Sequence, residues 1–368
     1  MASLQPFISI SILPFARETN VQDTIVVGAG QSGLAAGYHL QRAGLAFTIL
    51  EAGPTAAGSW PGYYDNLKLF SPAHYAALPG LPFPGAPDHY PARDEVIAYL
   101  GRYARHFDLP IVTETNVERV EFAAGQFRVT TGKRIYDTQS LIAATGSFRR
   151  PFVPQLPGQD TFEGVLLHAA TYRNPEPFTN QRVIVVGAGN SAIQIAVELA
   201  RGARVTLATR TPLRLTKQRI LGRDIHFWAR LSLLERLPLS LWIHPREINK
   251  VLDTGVYQAA LQAGRPNQRA MFASFTSDGV RWSAAEHEAV DAVIFATGYR
   301  PNLPYLAAMG ALGPSGRPHQ RAGVSQTTPG LYFVGLPAQR TWSSATLRGV
   351  GADAAYVVAH LERHLNAS

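Results

Sequence analysis

Two glycine-rich turns of matched spacing constrain this chain more than any other feature. The first reads Gly28-Ala29-Gly30-Gln31-Ser32-Gly33 and the second Gly187-Ala188-Gly189-Asn190-Ser191-Ala192. Each follows a β-branched apolar run, residues 24–27 and 182–186, and opens an apolar pattern of helical period. That is the strand–turn–helix setting of a dinucleotide fingerprint. Gly28 and Gly187 permit the sharp turn. Gly30 and Gly189 let backbone approach a pyrophosphate, and Gly33 and Ala192 let helix and strand pack closely. The pyrophosphate then lies at a helix N-terminus, where unpaired N–H groups and the helix dipole favour an anion. One such turn is a common connection; two in the same setting imply two nucleotide sites on one polypeptide.

The residue that reads the ribose differs between them. An offset of 23 from the first glycine lands on Glu51 in one unit and on Arg210, after Thr209, in the other, each at the end of the next apolar run. A carboxylate there accepts hydrogen bonds from a ribose diol and repels a 2′-phosphate. An arginine offers a permanently charged fork suited to a phosphate. The second nucleotide is therefore expected to be NADP rather than NAD, against the plainer reading of Arg210 as a solvated arginine at a strand end.

At 368 residues the chain is long enough for two domains. It contains no cysteine, which excludes a dithiol active site, a cysteine-ligated cluster and a disulfide framework, and fits a reducing cytoplasm. The formal charge of +8 comes from scattered arginines with no basic run, so no nucleic-acid partner is expected. Residues 7–14 are apolar but short and broken by Ser9, Ser11 and Pro14, a poor signal peptide and too short to span a bilayer. No stable membrane insertion is expected. His360 and His364 do not form an H-E-x-x-H pair, and no metal site is expected. The leucine- and tryptophan-rich stretch 228–243 suits core packing or a subunit contact, so a homodimer is among the assemblies the sequence allows; a substrate lid or membrane-surface helix is the weaker reading.

Along the chain, residues 94–107 carry apolar positions at helical spacing, and 117–120 and 126–131 alternate like strands of a small antiparallel insert. Buried strands at 141–146, 292–298 and 331–335 end in glycine, and 347–365 reads as a closing helix. The fold class expected is α/β: two Rossmann-like, doubly wound, three-layer dinucleotide-binding domains, the second inserted in the first. The division is an extension at 1–22, one domain from 23–155 and 300–368, and the other from 156–299. Ala144-Thr145-Gly146 and Ala296-Thr297-Gly298 mark the crossings between them.

These motifs together resemble the class B flavin-containing monooxygenases, including small bacterial members and plant YUCCA-type enzymes. The stretch Phe162-Glu-Gly164-Val-Leu-Leu-His168-Ala-Ala-Thr-Tyr172-Arg173 fits that family's identifying pattern F-x-G-x-x-x-H-x-x-x-(Y/F/W), just upstream of the second fingerprint. Its Tyr-Arg ending is similar to the branch that oxidises nitrogen and sulfur, where Baeyer–Villiger enzymes typically end in Trp followed by Pro or Asp. The resemblance implies FAD on the first fingerprint and NADPH on the second. NADPH would reduce the flavin, and oxygen would then form a C4a-(hydro)peroxyflavin that oxygenates a small soft nucleophile such as a sulfide or amine. It implies FAD contacts at Gly28, Gly30, Gln31, Ser32, Gly33, Glu51, Trp60, Val117, Thr145, Gly146, Ser344 and Thr346. It implies NADPH contacts at Gly187, Gly189, Asn190, Ser191, Thr209, Arg210, Thr297 and Gly298. Trp60 and Phe70 would lie near the flavin, with His168 as a catalytic candidate or, more plainly, a structural member of the identifying motif.

Two departures stand out. Phe70 occupies the place of an asparagine that supports the peroxyflavin in many members, and Gly335 is followed by Leu336 where an aspartate is usual. Phe70 leaves open an NADPH oxidase or flavin reductase that releases peroxide. Baeyer–Villiger oxidation of ketones and a non-catalytic nucleotide-sensing module are the further alternatives.

Overall fold

The structure, a computed structural model, describes residues 22–232, 237 and 251–367. The expected extension, apart from Gln22, and most of residues 233–243 lie outside the described residues.

In chain order the elements are β1 (Gln22–Val27), α1 (Gln31–Arg42), β2 (Phe47–Leu50), α2 (Arg93–His106), β3 (Ile111–Val112), β4 (Val117–Ala123), β5 (Gln126–Thr131), β6 (Ile135–Ala143), β7 (Val165–His168), β8 (Arg182–Val186), α3 (Asn190–Leu199) and β9 (Arg204–Thr209). Then come β10 (Leu215–Lys217), β11 (Arg219–Ile220), β12 (Arg223–Asp224), α4 (Ile225–Leu231), β13 (Val251–Asp253), α5 (Val256–Gln262), β14 (Asn267–Ala270), β15 (Ser274–Thr276), β16 (Gly279–Arg281), β17 (His287–Ala289), β18 (Ala292–Phe295), β19 (Gln320–Arg321), β20 (Val324–Ser325), β21 (Leu331–Phe333) and α6 (Leu347–Ala367).

Two large sheets organise the chain. One runs β19-β20-β21-β6-β1-β2-β3, with β4 and β5 joined through β6. The other, all parallel, runs β14-β9-β8-β18-β7. The second sheet is built wholly from chain between β6 and β19. Strand β1 shows why the first fingerprint sits where it does. Alternate side chains of a strand face opposite ways. Val26 packs into a core with Leu34 and Leu40 of α1 and Val350 and Val357 of α6, while Ile25 and Val27 pack with Val120 and Phe127 of the antiparallel arm. A strand covered on both faces reads as an unbroken β-branched run. β8 repeats the arrangement, with Val183 and Val185 against Ile193 and Ala196 of α3, and Ile184 and Val186 against Phe272, Phe275 and Val280.

The strands of the expected small antiparallel insert are antiparallel, and they join the first sheet because β5 pairs with β6 in register from Phe127↔Thr138 to Thr130↔Ile135. Strand β14 and the β15–β16–β17 sheet carry no strong hydrophobic period and are not visible in the sequence pattern.

Candidate active site

Both fingerprint turns open into one cavity of about 920 Å³. Its lining includes Gly28, Gly30, Gln31 and Ser32 from the first turn and Gly189, Asn190 and Ser191 from the second. Neither α1 nor α3 has a side-chain N-cap or an acidic residue in its first turn, so their leading N–H groups remain available to an anion. Gly28 (φ +102°) and Gly187 (φ +146°) hold conformations that favour glycine; a Cβ on Gly187 would lie 2.4 Å from the Ala296 carbonyl oxygen. A Cβ on Gly33 would lie 1.8 Å from the Gly28 carbonyl oxygen, so helix and strand could not approach as they do.

Glu51 follows β2 and is buried against the first turn. Its carboxylate accepts the Ala29 N–H at 2.6 Å and the Gly53 N–H at 2.8 Å. Arg149 donates to the Gly58 carbonyl at 3.0 Å and reaches within 3.5 Å of Glu51 Oε1. The sequence reading missed Arg149, although it stands three residues beyond the Ala-Thr-Gly crossing. Val117, Thr145, Gly146 and Gly298 also line the cavity. Thr145 donates to the Asn302 carbonyl at 2.7 Å.

At the far end the cavity is edged by Gln31, Trp60, Phe70, Ala345, Thr346 and Leu347. Gln31 is the hinge of this group. It donates to the Ala345 carbonyl at 2.6 Å and accepts the Trp60 indole N–H at 3.1 Å. One side chain thus ties the first fingerprint to the loop before α6 and to the 58–62 turn. Tyr63, Tyr64, Phe148 and Tyr299 complete an aromatic wall that the sequence did not disclose, because the four come from three separated segments. Burial raises the Tyr63 and Tyr64 hydroxyls and pushes Tyr299 up to about 12, so all three remain protonated donors at neutral pH.

Several expected contacts sit off the cavity lining. Gly33 and Gly187 shape the turns from behind. The Ser344 hydroxyl accepts the Arg340 and Thr341 N–H groups at 3.0 and 2.9 Å, and the Thr297 hydroxyl donates to the Phe152 carbonyl. Thr209 is buried at the end of β9 and Arg210 is exposed just past it. His168 does face the cavity, but its ring is engaged. Nδ1 accepts the Ala170 N–H at 3.0 Å, which leaves the proton on Nε2 to donate to the Gly298 carbonyl at 3.1 Å. Burial lowers its pKa, partly countered by that carbonyl, and keeps it neutral. The ring straps β7 to the segment after β18.

The end of the identifying motif grips the 62–66 loop. Tyr172 donates to Glu198 at 3.0 Å, and Glu198 also accepts from Asn66. Arg173 donates to the Gly62 carbonyl, and its own carbonyl accepts the Asp65 N–H at 2.8 Å. Tyr64 adds a bond to Gln194 of α3 at 2.9 Å.

Residues 25–335 match the family model described as pyridine nucleotide-disulphide oxidoreductase. A flavin-containing monooxygenase from Stenotrophomonas maltophilia superposes with a TM-score of 0.84 at 30% identity, over 94% of this chain and 100% of that one. An uncharacterized oxidoreductase CzcO of Bacillus subtilis is 34% identical over 340 residues, 91% of this chain and 98% of its own. The indole-3-pyruvate monooxygenase YUCCA1 of Oryza sativa subsp. japonica is 31% identical over 364 residues, 87% of this chain and 88% of its own. The chain belongs to the class B flavoprotein monooxygenases. It is thus an oxidoreductase of Rossmann-type fold that uses a flavin and a pyridine nucleotide.

The class B cavity fits such groups on its own terms. The backbones of Gly30 and Gly58 come so close that a Cβ on Gly58 would lie 2.7 Å from Gly30 Cα, a bare-backbone cradle of the kind a pyrophosphate needs. The buried Glu51 carboxylate and the aromatic side chains of Tyr63, Tyr64, Phe148 and Tyr299 line the same cavity. Among the described residues no helix is long and apolar enough to cross a membrane.

Proposed function

We propose that this enzyme is an FAD- and NADPH-dependent monooxygenase that oxygenates a small soft nucleophile, a sulfide or an amine, using dioxygen. The observation that carries this reading is the single cavity into which both fingerprint turns open. Two nucleotides held on those turns would meet within it, as direct hydride transfer requires. Bound flavin would accept a hydride from the reduced nicotinamide and activate dioxygen for transfer to the substrate.

The chain's own residues supply binding, orientation and dryness. The N–H groups at the start of α1 and α3 would hold the two pyrophosphates, with Glu51 on the flavin-side ribose and Arg210, after Thr209, on a 2′-phosphate. Gln31 holds Trp60 and the Ala345 carbonyl in fixed relation, so the rim of the flavin end moves as one piece. Tyr63, Phe148 and Tyr299 would offer apolar surface to the substrate, and the two tyrosine hydroxyls would offer hydrogen bonds.

Phe70 in the lining favours one competing reading, an NADPH oxidase that releases peroxide, because a phenylalanine offers no hydrogen bond to an oxygen adduct. The deciding experiment reduces the purified holoenzyme with NADPH anaerobically and mixes it with oxygenated buffer and a panel of sulfides, amines and α-keto acids. Oxygenated product in stoichiometry with NADPH supports the monooxygenase. Peroxide in that stoichiometry with every substrate refutes it, and a product from the keto acids alone would move the activity toward that of the indole-3-pyruvate relatives.

A further inference from the structure

Behind Phe70, on the side away from the cavity, lies a buried polar cluster that the function above does not use. Asp224 caps α4 and is buried together with Gln218 and His226. Its carboxylate accepts from His226 Nδ1 at 2.5 Å, the His226 backbone N–H at 2.9 Å, the Tyr90 hydroxyl at 2.6 Å and Gln218 Nε2 at 2.9 Å. The carboxylate beside Nδ1 fixes the proton there. The same Gln218 amide also donates to the Phe70 carbonyl at 2.9 Å. The His226 ring stacks on Phe70 with centroids 6.3 Å apart and planes 25° from parallel, and on Tyr75 with centroids 5.9 Å apart.

Phe70 is therefore held twice from one anchor: its backbone through Gln218 and its ring through His226. Burial alone would raise Asp224, but the bonds from His226, Tyr90 and Gln218 outweigh it and hold the carboxyl down at about 2. The anchor stays ionised. Burial lowers His226, and the Arg348 cation acts in the same direction against Asp224's opposing pull, so the ring stays neutral. Arg348 stands next to Leu347, which lines the cavity.

We infer that Asp224 and His226 form a positioning unit that seats Phe70 against the flavin end of the cavity. His226 does not line the cavity and acts through Phe70. The inference rests on the reading of this cavity as a flavin site, and it predicts two effects. Removing the plate behind Phe70 should weaken the seat of the flavin, and the loss should vanish once Phe70 itself is gone.

The test titrates apoprotein of the full chain with FAD, following quenching of flavin fluorescence, for wild type, His226→Ala, His226→Phe, Phe70→Ala and the double variant Phe70→Ala/His226→Ala. His226→Ala should weaken binding about three- to tenfold, the equivalent of one stacked aromatic pair. His226→Phe, which restores a ring, should recover most of the loss, and the double variant should match Phe70→Ala alone. The rate at which NADPH-reduced enzyme is reoxidised by oxygen should follow the same pattern. Additive losses in the double variant would overturn the inference. So would a His226→Phe variant as impaired as His226→Ala, since a ring behind Phe70 would then not be what seats it. Peroxide as the sole product of the wild type would sink the monooxygenase reading and leave this comparison standing. Failure of the wild-type apoprotein to take up flavin would overturn both.

Discussion

Asp353 should make the protein less stable as pH rises, and Asp353→Asn should remove that dependence. The residue is fully buried in the second turn of α6, the helix whose start edges the cavity. Arg340 Nη1 lies 3.4 Å from Oδ1, while Oδ2 has no hydrogen-bond partner. Burial pushes the carboxyl from 3.8 up to about 6, with the Ser344 hydroxyl and Arg340 too weak as partners to prevent it. The folded chain therefore binds more protons than the unfolded chain between these values, and stability falls as pH rises. The contribution is fully present below pH 3.8 and is lost as pH climbs through about 6. The total is about 3 kcal/mol, of which roughly half is lost between about pH 5 and pH 8. For a chain of 368 residues that half corresponds to about 2 °C in melting temperature. The assay compares melting curves of wild type and Asp353→Asn at both pH values. Groups common to the two chains, His39, His168 and His226 included, cancel in the difference. The variant should gain about 2 °C on the wild type between pH 5 and pH 8. A gap that stays constant or narrows would show that Asp353 is already ionised in the fold and that the reasoning from its burial is wrong.

Three further outcomes are expected. Glu51→Gln sets an amide against the Ala29 N–H that the carboxylate now accepts at 2.6 Å; loss of a charge-assisted bond should weaken FAD binding about ten- to hundredfold, read by titrating the apoprotein. Arg210→Ala should raise KM for NADPH by about ten- to hundredfold and leave KM for NADH nearly unchanged, since the lost charge meets only a 2′-phosphate; parallel increases for both nucleotides would remove Arg210 from the selectivity argument. Gly33→Ala places a Cβ 1.8 Å from the Gly28 carbonyl oxygen; the purified variant should carry almost no flavin, and near-normal flavin absorbance would contradict the close helix–strand approach.

The fingerprints were legible because Gly28, Gly33 and Gly187 answer backbone demands that other residues do not meet, and such demands leave a one-letter trace. The Glu51 offset was legible for the same reason: strand and helix lengths fix it. Hydroxyl orientation was not. Ser344 and Thr297 stand beside lining residues in sequence, but the Ser344 hydroxyl is taken up by the Arg340 and Thr341 N–H groups and Asp353, and the Thr297 hydroxyl by the Phe152 carbonyl, a choice made by local hydrogen bonding. The seat of Phe70 was also hidden. Asp224 and His226 carry no pattern that marks them in the sequence, and only the fold brings Gln218, Tyr90 and Phe70 to them. Strand β14 escaped notice because Asn267, Gln268 and Arg269 give no apolar period; it pairs with β9 at the edge of the sheet, where none of its residues is buried.

The cavity's ionisable inventory bears on which chemistry follows flavin reduction. Disulfide exchange on such a pair of domains needs thiols, and the chain has no cysteine. Dehydrogenation of an alcohol or amine would need a side chain able to take up the substrate's proton. Among the described lining residues the candidates are few. Glu51 is engaged by the Ala29 and Gly53 N–H groups, and both nitrogens of His168 are committed to backbone partners. Glu118 and Lys68 are exposed, and the tyrosines are held protonated by burial. A soft nucleophile attacking an activated oxygen supplies its own electron pair and asks the protein for orientation and dryness, not for a base. The aromatic side chains of Tyr63, Phe148 and Tyr299 in the lining are apolar surface suited to that role. The poverty of bases and thiols in the lining thus argues for oxygen as the electron acceptor, which is the chemistry of the family to which the chain belongs.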